Sequence, residues 1–393
     1  MQVFLPDNEI YFDAKDALGV RRVIAAMMNV FETYLNLVRA ALWGKEHVLW
    51  PAEQTEQLLW LNAMQGTGAL VFPRVLGQED IPVSAKMQMK GACVHTMQQQ
   101  VHLQHTLEVV WAALEKAGIR PVLMKGAGLA ALYPEPQLRA WGDIDLFVGK
   151  EQYHPACAVM RDTFPDALKF DEELDHYKHY NIIADGVSIE THRVTVTLQH
   201  PADERRYAKM EQIGMTDTCS MTIGNCALQV PEPTFNALFV FLHSWEHMLT
   251  AGANLRQLCD VALLLHYYRN RIDAPRLKRW LKALRLLDVW QLYMFIAVQY
   301  LGLPEEEALF FDMKVQARAK RLSEDLLAGK MLAAKPSKTE TKNRFARKFH
   351  TMKERLQNAK RIQRYSPVYA RHMAVTTLLH GALRLFAKDR HWE

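Results

Sequence analysis

Two aspartates stand one residue apart in residues 141–148, WGDIDLFV, among mostly apolar neighbours. This alternation predicts a strand, and because strand side chains repeat with a period of two, Asp143 and Asp145 project from one face. Glu190 repeats the pattern in residues 188–192, SIETH. Grouped oxygen donors suit Mg²⁺, which commonly shares its ligands with substrate phosphates. We therefore predict that Asp143, Asp145 and Glu190 are catalytic residues that hold Mg²⁺ or Mn²⁺.

Cationic and flexible residues lie close to this pattern in the chain. Lys125 and Gly126 begin a glycine-rich turn, and Arg139 comes shortly before the aspartates. Such a turn lets backbone N–H groups approach a phosphate closely, and the cations offset its charge. His192 shares the strand face of Glu190, where it either contacts phosphate or forms a structural hydrogen bond. We predict that Lys125, Gly126, Arg139 and His192 bind the nucleotide.

This set of residues fits phosphoryl or nucleotidyl transfer. Such chemistry depends mostly on positioning and on neutralising the charge of the phosphates. Two metal ions about 3.5–4 Å apart activate an attacking hydroxyl and stabilise the leaving pyrophosphate. Asp143 and Asp145 would bridge both ions. Glu190 would either complete the site of the incoming hydroxyl or act as the base that deprotonates it.

The periodicity of the chain predicts the elements that position these residues. Apolar spacing indicates mostly helix over 20–70 and a helix over 83–116 that ends at Gly118. The pattern then predicts short helices over 126–133 and 151–163, and strands over 121–124, 144–148, 180–184 and 187–193. Asp185-Gly186 is a strong hairpin dipeptide between the last two strands. Helices over 234–249 and 255–269 begin a second helical region.

The predicted fold class is α+β, a small mixed-sheet core flanked by N-terminal and C-terminal helical regions. We place the boundaries at 1–117 for the N-terminal helical region, 118–230 for the α+β core, 231–334 for a helical domain packing on the core, and 335–393 for a basic C-terminal helical segment.

The composition excludes several classes of protein. Hydrophobic residues make up 49% of the 393 residues and charged residues 23%, which is typical of a soluble globular protein. We expect no membrane span, because no apolar run approaches about 20 residues, and no signal peptide is evident. The five cysteines are scattered and form no C-x-x-C pair. They predict reduced thiols, a cytoplasmic location and no zinc site.

A basic block covers residues 335–364, where eleven lysines and arginines face only Glu340 and Glu354. Such a block contacts a polyanion, either nucleic acid, an anionic membrane or an acidic partner. The alternative is a solvated helix face with a flexible linker.

Two further pairs stand four residues apart on predicted helices. His243 and His247 have a spacing able to bind metal, but there is no H-E-x-x-H pattern, so we predict that they pack the helical region against the sheet. Arg256 and Asp260 form either a helix-surface ion pair worth about 0.2–0.5 kcal/mol or a pair in which one residue orients a substrate or braces the active-site wall.

The motifs resemble the uncharacterised nucleotidyltransferase family, which lies within the DNA polymerase β-like superfamily together with aminoglycoside nucleotidyltransferases and poly(A) polymerases. The resemblance rests on Lys-Gly-Ala at 125–127, R-x-x-G-D-I-D-L-x-V at 139–148 and I-E-x-H at 189–192. It continues through 230–232, 243–247 and 255–262 and covers roughly residues 105–265.

The resemblance implies a nucleotidyltransferase core in which Asp143 and Asp145 bind metal and Glu190 is the third carboxylate. Gly126 stands where the superfamily's Gly-Ser turn begins, with Ala127 in place of the serine. The 16 residues between Gly126 and Asp143 exceed the usual spacing. The implied reaction is Mg²⁺-dependent transfer of an NMP from an NTP, with ATP favoured, to a hydroxyl of an unknown acceptor (a small molecule, RNA or protein).

Two alternatives stand beside this interpretation. One is a catalytically inactive module that binds a nucleotide or another polyanion, which the missing serine and the basic block favour. The other is a toxin-like enzyme that uses the same three acids to modify tRNA or a protein. The acceptor cannot be identified from the sequence, because one fold supports many acceptors.

Overall fold

A computed structural model of the chain describes residues 2–5, 8–11, 17–44, 48–170, 174, 176–198, 200–249, 252–331 and 344–386. The first part of the predicted basic block, 335–343, therefore lies outside the described residues. All bounds and contacts below refer to this part of the chain.

Helices dominate both ends of the chain. The helices before and within the sheet region are α1 (Ala17–Trp43), α2 (Thr55–Gln65), α3 (Gly68–Val71), α4 (Val83–Lys116), α5 (Ala127–Ala130), α6 (Gly149–Thr163) and α7 (Pro201–Thr216). Those that follow are α8 (Pro233–Leu249), α9 (Leu255–Tyr268), α10 (Ala274–Ala283), α11 (Leu287–Gln299), α12 (Gln316–Leu327), α13 (Arg344–Ile362) and α14 (Pro367–Phe386).

The described strands form one five-stranded mixed sheet and two hairpins. The strands are β1 (Gln2–Leu5), β2 (Asn8–Tyr11), β3 (Val122–Leu123), β4 (Asp143–Phe147), β5 (Leu168–Lys169), β6 (His179–Ala184), β7 (Val187–His192), β8 (Cys219–Ile223) and β9 (Cys226–Val230). The large sheet has the order β3-β4-β7-β6-β5. Its β4 and β7 are parallel, whereas the other neighbours are antiparallel. The α+β fold class predicted from the sequence is confirmed.

Local chemistry explains the hairpin that carries Glu190. Asp185 and Gly186 have φ angles of 50° and 80°, the left-handed conformation that a two-residue type I′ turn requires at both positions. The turn joins β6 to β7, as the sequence predicts. The β1–β2 and β8–β9 hairpins, in contrast, were not predicted.

The large sheet separates an apolar face from a polar one. Ile144, Leu146, Tyr180, Ile182 and Ile189 are buried on one face in a core that includes side chains of α4 and α6. The residues between them in sequence, Asp143, Asp145 and Glu190, belong to the other face. One face of the sheet is thus a packing surface, and the opposite face carries the acids.

A second and larger core joins the N-terminal helices to those after the sheet. It contains Tyr34, Leu58 and Leu70 together with residues of α8, α9 and α11. Gln65 links these parts further: its side chain accepts a hydrogen bond from the Leu255 N–H at 2.7 Å and donates to the Leu326 carbonyl at 2.9 Å. The first and third regions predicted from the sequence therefore share a core, and the boundaries at 117, 230 and 334 stay predictions.

The described part of the basic block, 344–364, contains the whole of α13. Lys353 and Lys360 are exposed. Arg361 instead donates to the carbonyl of Met248 at 2.8 Å, and Arg364 lies 3.5 Å from Asp325. Two of the cations thus hold α13 against the helical region. In the described residues, no helix combines the length and apolarity needed to cross a bilayer.

Candidate active site

Strand register brings the three acids together. Because β4 and β7 are parallel, Asp145 lies opposite Glu190 and Asp143 opposite Ser188. Carboxylate oxygens of Asp143, Asp145 and Glu190 all lie within 4.8 Å of one another. Their exposure differs: the side chain of Asp143 is 38% exposed, whereas that of Asp145 is fully buried. Asp143 therefore stands at the mouth of the site and Asp145 at its base.

Lys125 inserts a positive charge between the two aspartates. Its Nζ lies 3.2 Å from Asp143 Oδ2 and 3.1 Å from Asp145 Oδ2. Burial disfavours the charged ammonium, but Asp145, Asp143 and Glu190 outweigh it and raise the pKa of Lys125. A cation is thus accommodated between these oxygens. A donor set of three carboxylates around such a position fits Mg²⁺ or Mn²⁺.

His192 contacts the acid group, which consists of the carboxylates of Asp143, Asp145 and Glu190. Its Nε2 lies 3.1 Å from Asp145 Oδ1 and 3.0 Å from Glu190 Oε2. Burial opposes its charged form, but the hydrogen bonds to Asp145 and Glu190 outweigh burial and raise the pKa of His192. Burial likewise favours neutral Glu190, yet His192 lowers the pKa of Glu190 to about 2. Next to them, burial lowers the pKa of His179 to about 4.

Gly126 shapes the turn that presents Lys125. It has φ 57° and ψ −114°, a conformation that side chains rarely adopt. A Cβ at this position would lie 3.1 Å from Trp141 Cε3 and 3.2 Å from the Asp143 carbonyl oxygen. A glycine is therefore required both by the backbone angle and by the close approach to β4.

Arg139 forms hydrogen bonds with both Asp260 and the turn at Gly126. Its Nε donates to Asp260 Oδ1 at 3.0 Å and its Nη2 to Asp260 Oδ2 at 2.6 Å, while Nη1 donates to the Gly126 carbonyl at 3.4 Å. Tyr133 also donates to Asp260 Oδ1 at 2.7 Å. These bonds support a bracing role for Arg139, and its contact with phosphate stays a prediction. Asp260 pairs with Arg139, so the simple Arg256–Asp260 helix pair is replaced by a brace to the active-site wall.

A cavity of about 160 Å³ opens beside Lys125, Gly126 and Asp143. His243 and His247 of α8 and Arg256 of α9 line its helical side. Both histidines line this cavity, and their role in packing the helical region against the sheet stays a prediction. Their spacing of four residues, which places them on one helix face, was the signal for this location. Burial, followed by the charge of Lys125, lowers the pKa of both histidines.

Arg256 differs from Arg139 in lacking an anionic partner. Its Nη1 donates to the Ala140 carbonyl at 2.5 Å, but no carboxylate within the described chain forms an ion pair with it. Burial, followed by the neighbouring charge of Arg139, lowers the pKa of Arg256. A guanidinium that lines a cavity without an anionic partner is suited to bind an anionic ligand.

Comparison with known proteins adds a family to this geometry. No curated protein and no solved structure matches the chain. A family profile described as uncharacterised nucleotidyltransferase matches residues 51–302, more than half of the chain. The match extends beyond the sheet region on both sides and includes α2 to α11. The chain therefore belongs to the uncharacterised nucleotidyltransferase family.

Proposed function

We propose that this protein transfers an NMP from an NTP, with ATP favoured, to a hydroxyl of an acceptor, using Mg²⁺ or Mn²⁺ held by Asp143, Asp145 and Glu190. One observation carries the proposal: the three carboxylates converge on neighbouring parallel strands around a position already occupied by the Lys125 ammonium. Membership of a nucleotidyltransferase family supports the reaction class.

The reaction balances without a further reactant. The acceptor oxygen forms a bond to the α-phosphorus, the bond to pyrophosphate breaks, and the hydroxyl proton leaves to a base or to water. At such a site, divalent cations supply charge neutralisation on the phosphates and activation of the hydroxyl. The residues of the chain contribute position and charge.

The cavity indicates where the triphosphate would lie. Lys125 and Arg256 both line it, together with His243 and His247. We place the β- and γ-phosphates there, because both cations line the cavity with Asp143 and no described carboxylate forms an ion pair with Arg256. The acceptor then approaches from the exposed side of Asp143.

The test is transfer of label from each α-labelled NTP, with Mg²⁺, onto components of a cell extract. The wild type should label an acceptor, and Asp143→Asn and Glu190→Gln should not. Asp166→Asn, which removes an exposed carboxylate outside the site, is the matched control and should behave as the wild type.

Two results would contradict the proposal. Undiminished labelling by Asp143→Asn would exclude the three acids as the metal site. Absence of labelling by the wild type, despite measurable Mg²⁺–NTP binding, would instead favour a catalytically inactive nucleotide-binding module. Ala127, which offers no hydroxyl in the turn, is the feature of the chain that favours this second candidate.

A further inference from the structure

Two histidines face each other across the β6–β7 hairpin, beside the acid group. His179 lies opposite His192 in the antiparallel register, with ring centroids 4.9 Å apart. Glu190, two residues before His192, shares their face of the sheet. The ligand atoms of His179, Glu190 and His192 all lie within 4.8 Å of one another.

The hydrogen bonds of His192 direct its second ring nitrogen at two carboxylates. Its Nδ1 lies 3.3 Å from the Val194 carbonyl, which can only accept, so Nδ1 carries the hydrogen. Its Nε2 therefore faces Asp145 Oδ1 and Glu190 Oε2, and a metal ion bound there would take the place of the proton on this nitrogen. Donation from one ring nitrogen to a backbone carbonyl is also the usual arrangement of a metal-binding histidine.

The distances suit ligands of one ion. Donors each about 2.1 Å from a common metal stand about 3.0–3.4 Å apart across a right or tetrahedral angle. The Nε2 of His192 is 3.0 Å from Glu190 Oε2. The Nδ1 of His179 is 3.8 Å from the same oxygen and forms no hydrogen bond with any described residue. His179 thus offers a second nitrogen ligand, and its Nδ1 needs to move only slightly closer to Glu190 Oε2 to share one ion with it.

The donor types distinguish this group from the acid group. Imidazole nitrogens suit ions such as Zn²⁺, Co²⁺ and Fe²⁺, whereas sites made of oxygens alone suit Mg²⁺. We propose that His179, Glu190 and His192 bind one divalent transition-metal ion of the Zn²⁺ class. This site lies next to the all-oxygen site of Asp143, Asp145 and Glu190 and shares Glu190 with it. The lack of paired cysteines led us to expect no zinc site, but a site built by strand register leaves no such spacing in the sequence.

The experiment uses Co²⁺ as a spectroscopic probe on the full chain with excess Mg²⁺ present. The wild type should bind one Co²⁺ per chain, with the intense visible absorption of a low-coordinate, nitrogen-ligated ion. Zn²⁺ should displace it and Mg²⁺ should not. Loss of an outer-sphere partner alone costs about 10–100-fold in metal affinity, so His179→Gln should weaken Co²⁺ binding by about 100-fold or more.

Two controls separate this inference from the proposed function. His95→Gln removes an exposed imidazole on α4 and should bind Co²⁺ as the wild type does. Asp143→Asn should lose nucleotidyl transfer and keep the Co²⁺ site, because Asp143 belongs only to the all-oxygen group. The metal site can therefore be present even where transfer is not.

His179 is the better position to vary, because its side chain is 23% exposed and that of His192 only 3%. Circular dichroism would establish that His179→Gln is folded. Unchanged Co²⁺ affinity in folded His179→Gln, or displacement of Co²⁺ by Mg²⁺ as readily as by Zn²⁺, would overturn the proposal. His192 would then be a charged structural partner of the two acids and no metal ligand.

Discussion

Arg139 and Asp260 form a bidentate ion pair across 121 residues of sequence. Both side chains are at most 5% exposed. The pair joins the segment that precedes β4 to α9, and through the Gly126 carbonyl it also reaches the turn that carries Lys125. The ion pair thereby fixes the position of α9, which lines the cavity, relative to the turn and strand that carry Lys125 and the two aspartates.

Removal of one partner from this pair should destabilise the fold. Asp260→Asn leaves the Arg139 guanidinium buried without an anion, and such a loss typically costs about 3–5 kcal/mol. Urea unfolding measures the change. As a control, Glu135→Gln breaks the partly exposed pair with Arg74 and should cost about 0–1 kcal/mol. If both variants lost the same free energy of unfolding, the buried Arg139–Asp260 pair would be no more important for stability than the exposed pair.

Lys125 and a divalent cation should compete for the same carboxylates. In Lys125→Met, Asp145 loses its ammonium partner, so the unfolding temperature without divalent ions should fall below that of the wild type. Millimolar Mg²⁺ should then stabilise the variant more than it stabilises the wild type, since binding no longer displaces Lys125. Thermal unfolding with EDTA and with Mg²⁺ tests this. An identical Mg²⁺ response in both proteins would argue against a shared position.

Gly126→Ala should strain the turn next to the site. The added methyl meets Trp141 and the Asp143 carbonyl, and the backbone angle is unfavourable, so we expect a loss of about 1–3 kcal/mol and reduced transfer. Gly91→Ala is the control: it lies within α4 with open space around it and should stabilise the protein by about 0.5–1 kcal/mol. A neutral effect of Gly126→Ala would contradict the strained geometry.

Arg256→Met should weaken nucleotide binding more than it slows chemistry. A hydrogen bond to a charged group contributes about 1.5–3 kcal/mol, so KM for the NTP should rise by about 10–100-fold with kcat little changed. Arg120→Met, which alters an exposed arginine, should leave both constants unchanged. A fall in kcat at constant KM would place Arg256 with the reacting atoms and away from the triphosphate.

Asp203 should make stability depend on pH at the acid end. Its carboxylate contacts His372 at 2.8 Å, Arg206 at 2.6 Å and Arg285 at 3.2 Å. Burial alone would raise its pKa, but the hydrogen bond to His372, followed by the arginines, lowers the pKa of Asp203 from 3.8. The folded state then binds fewer protons than the unfolded state, so this stabilisation is present above the unfolded pKa and is lost as the pH falls through the folded one.

The difference in unfolding free energy between the wild type and Asp203→Asn should therefore be largest near neutral pH and shrink below pH about 3.8. Denaturant titrations at several pH values measure it. His372→Gln removes the hydrogen bond that lowers the pKa of Asp203 most. The unfolding free energy of this variant should therefore depend less on pH in the acid range than that of the wild type. A constant difference across the acid range would exclude Asp203 as its source.

Much of the site could be derived from local patterns. The period of two in β4 and β7 places Asp143, Asp145 and Glu190 each on a polar face, and Asp185-Gly186 determines the hairpin that carries Glu190. The helical period also predicts α4 with both of its ends. These features depend only on neighbouring residues and on the few conformations that the backbone permits, so one sequence is sufficient to find them.

Only the tertiary structure decided which of these residues meet. The parallel register that sets Asp145 opposite Glu190, the Arg139–Asp260 pair and the place of His243 beside the cavity all join residues far apart in sequence. Such contacts depend on how buried faces pack against one another. The spacing of apolar residues within one element does not show which other element it packs against. The sequence thus determines the chemistry and facing of each element, whereas packing determines the partners, because burial rewards the whole arrangement and not any single segment.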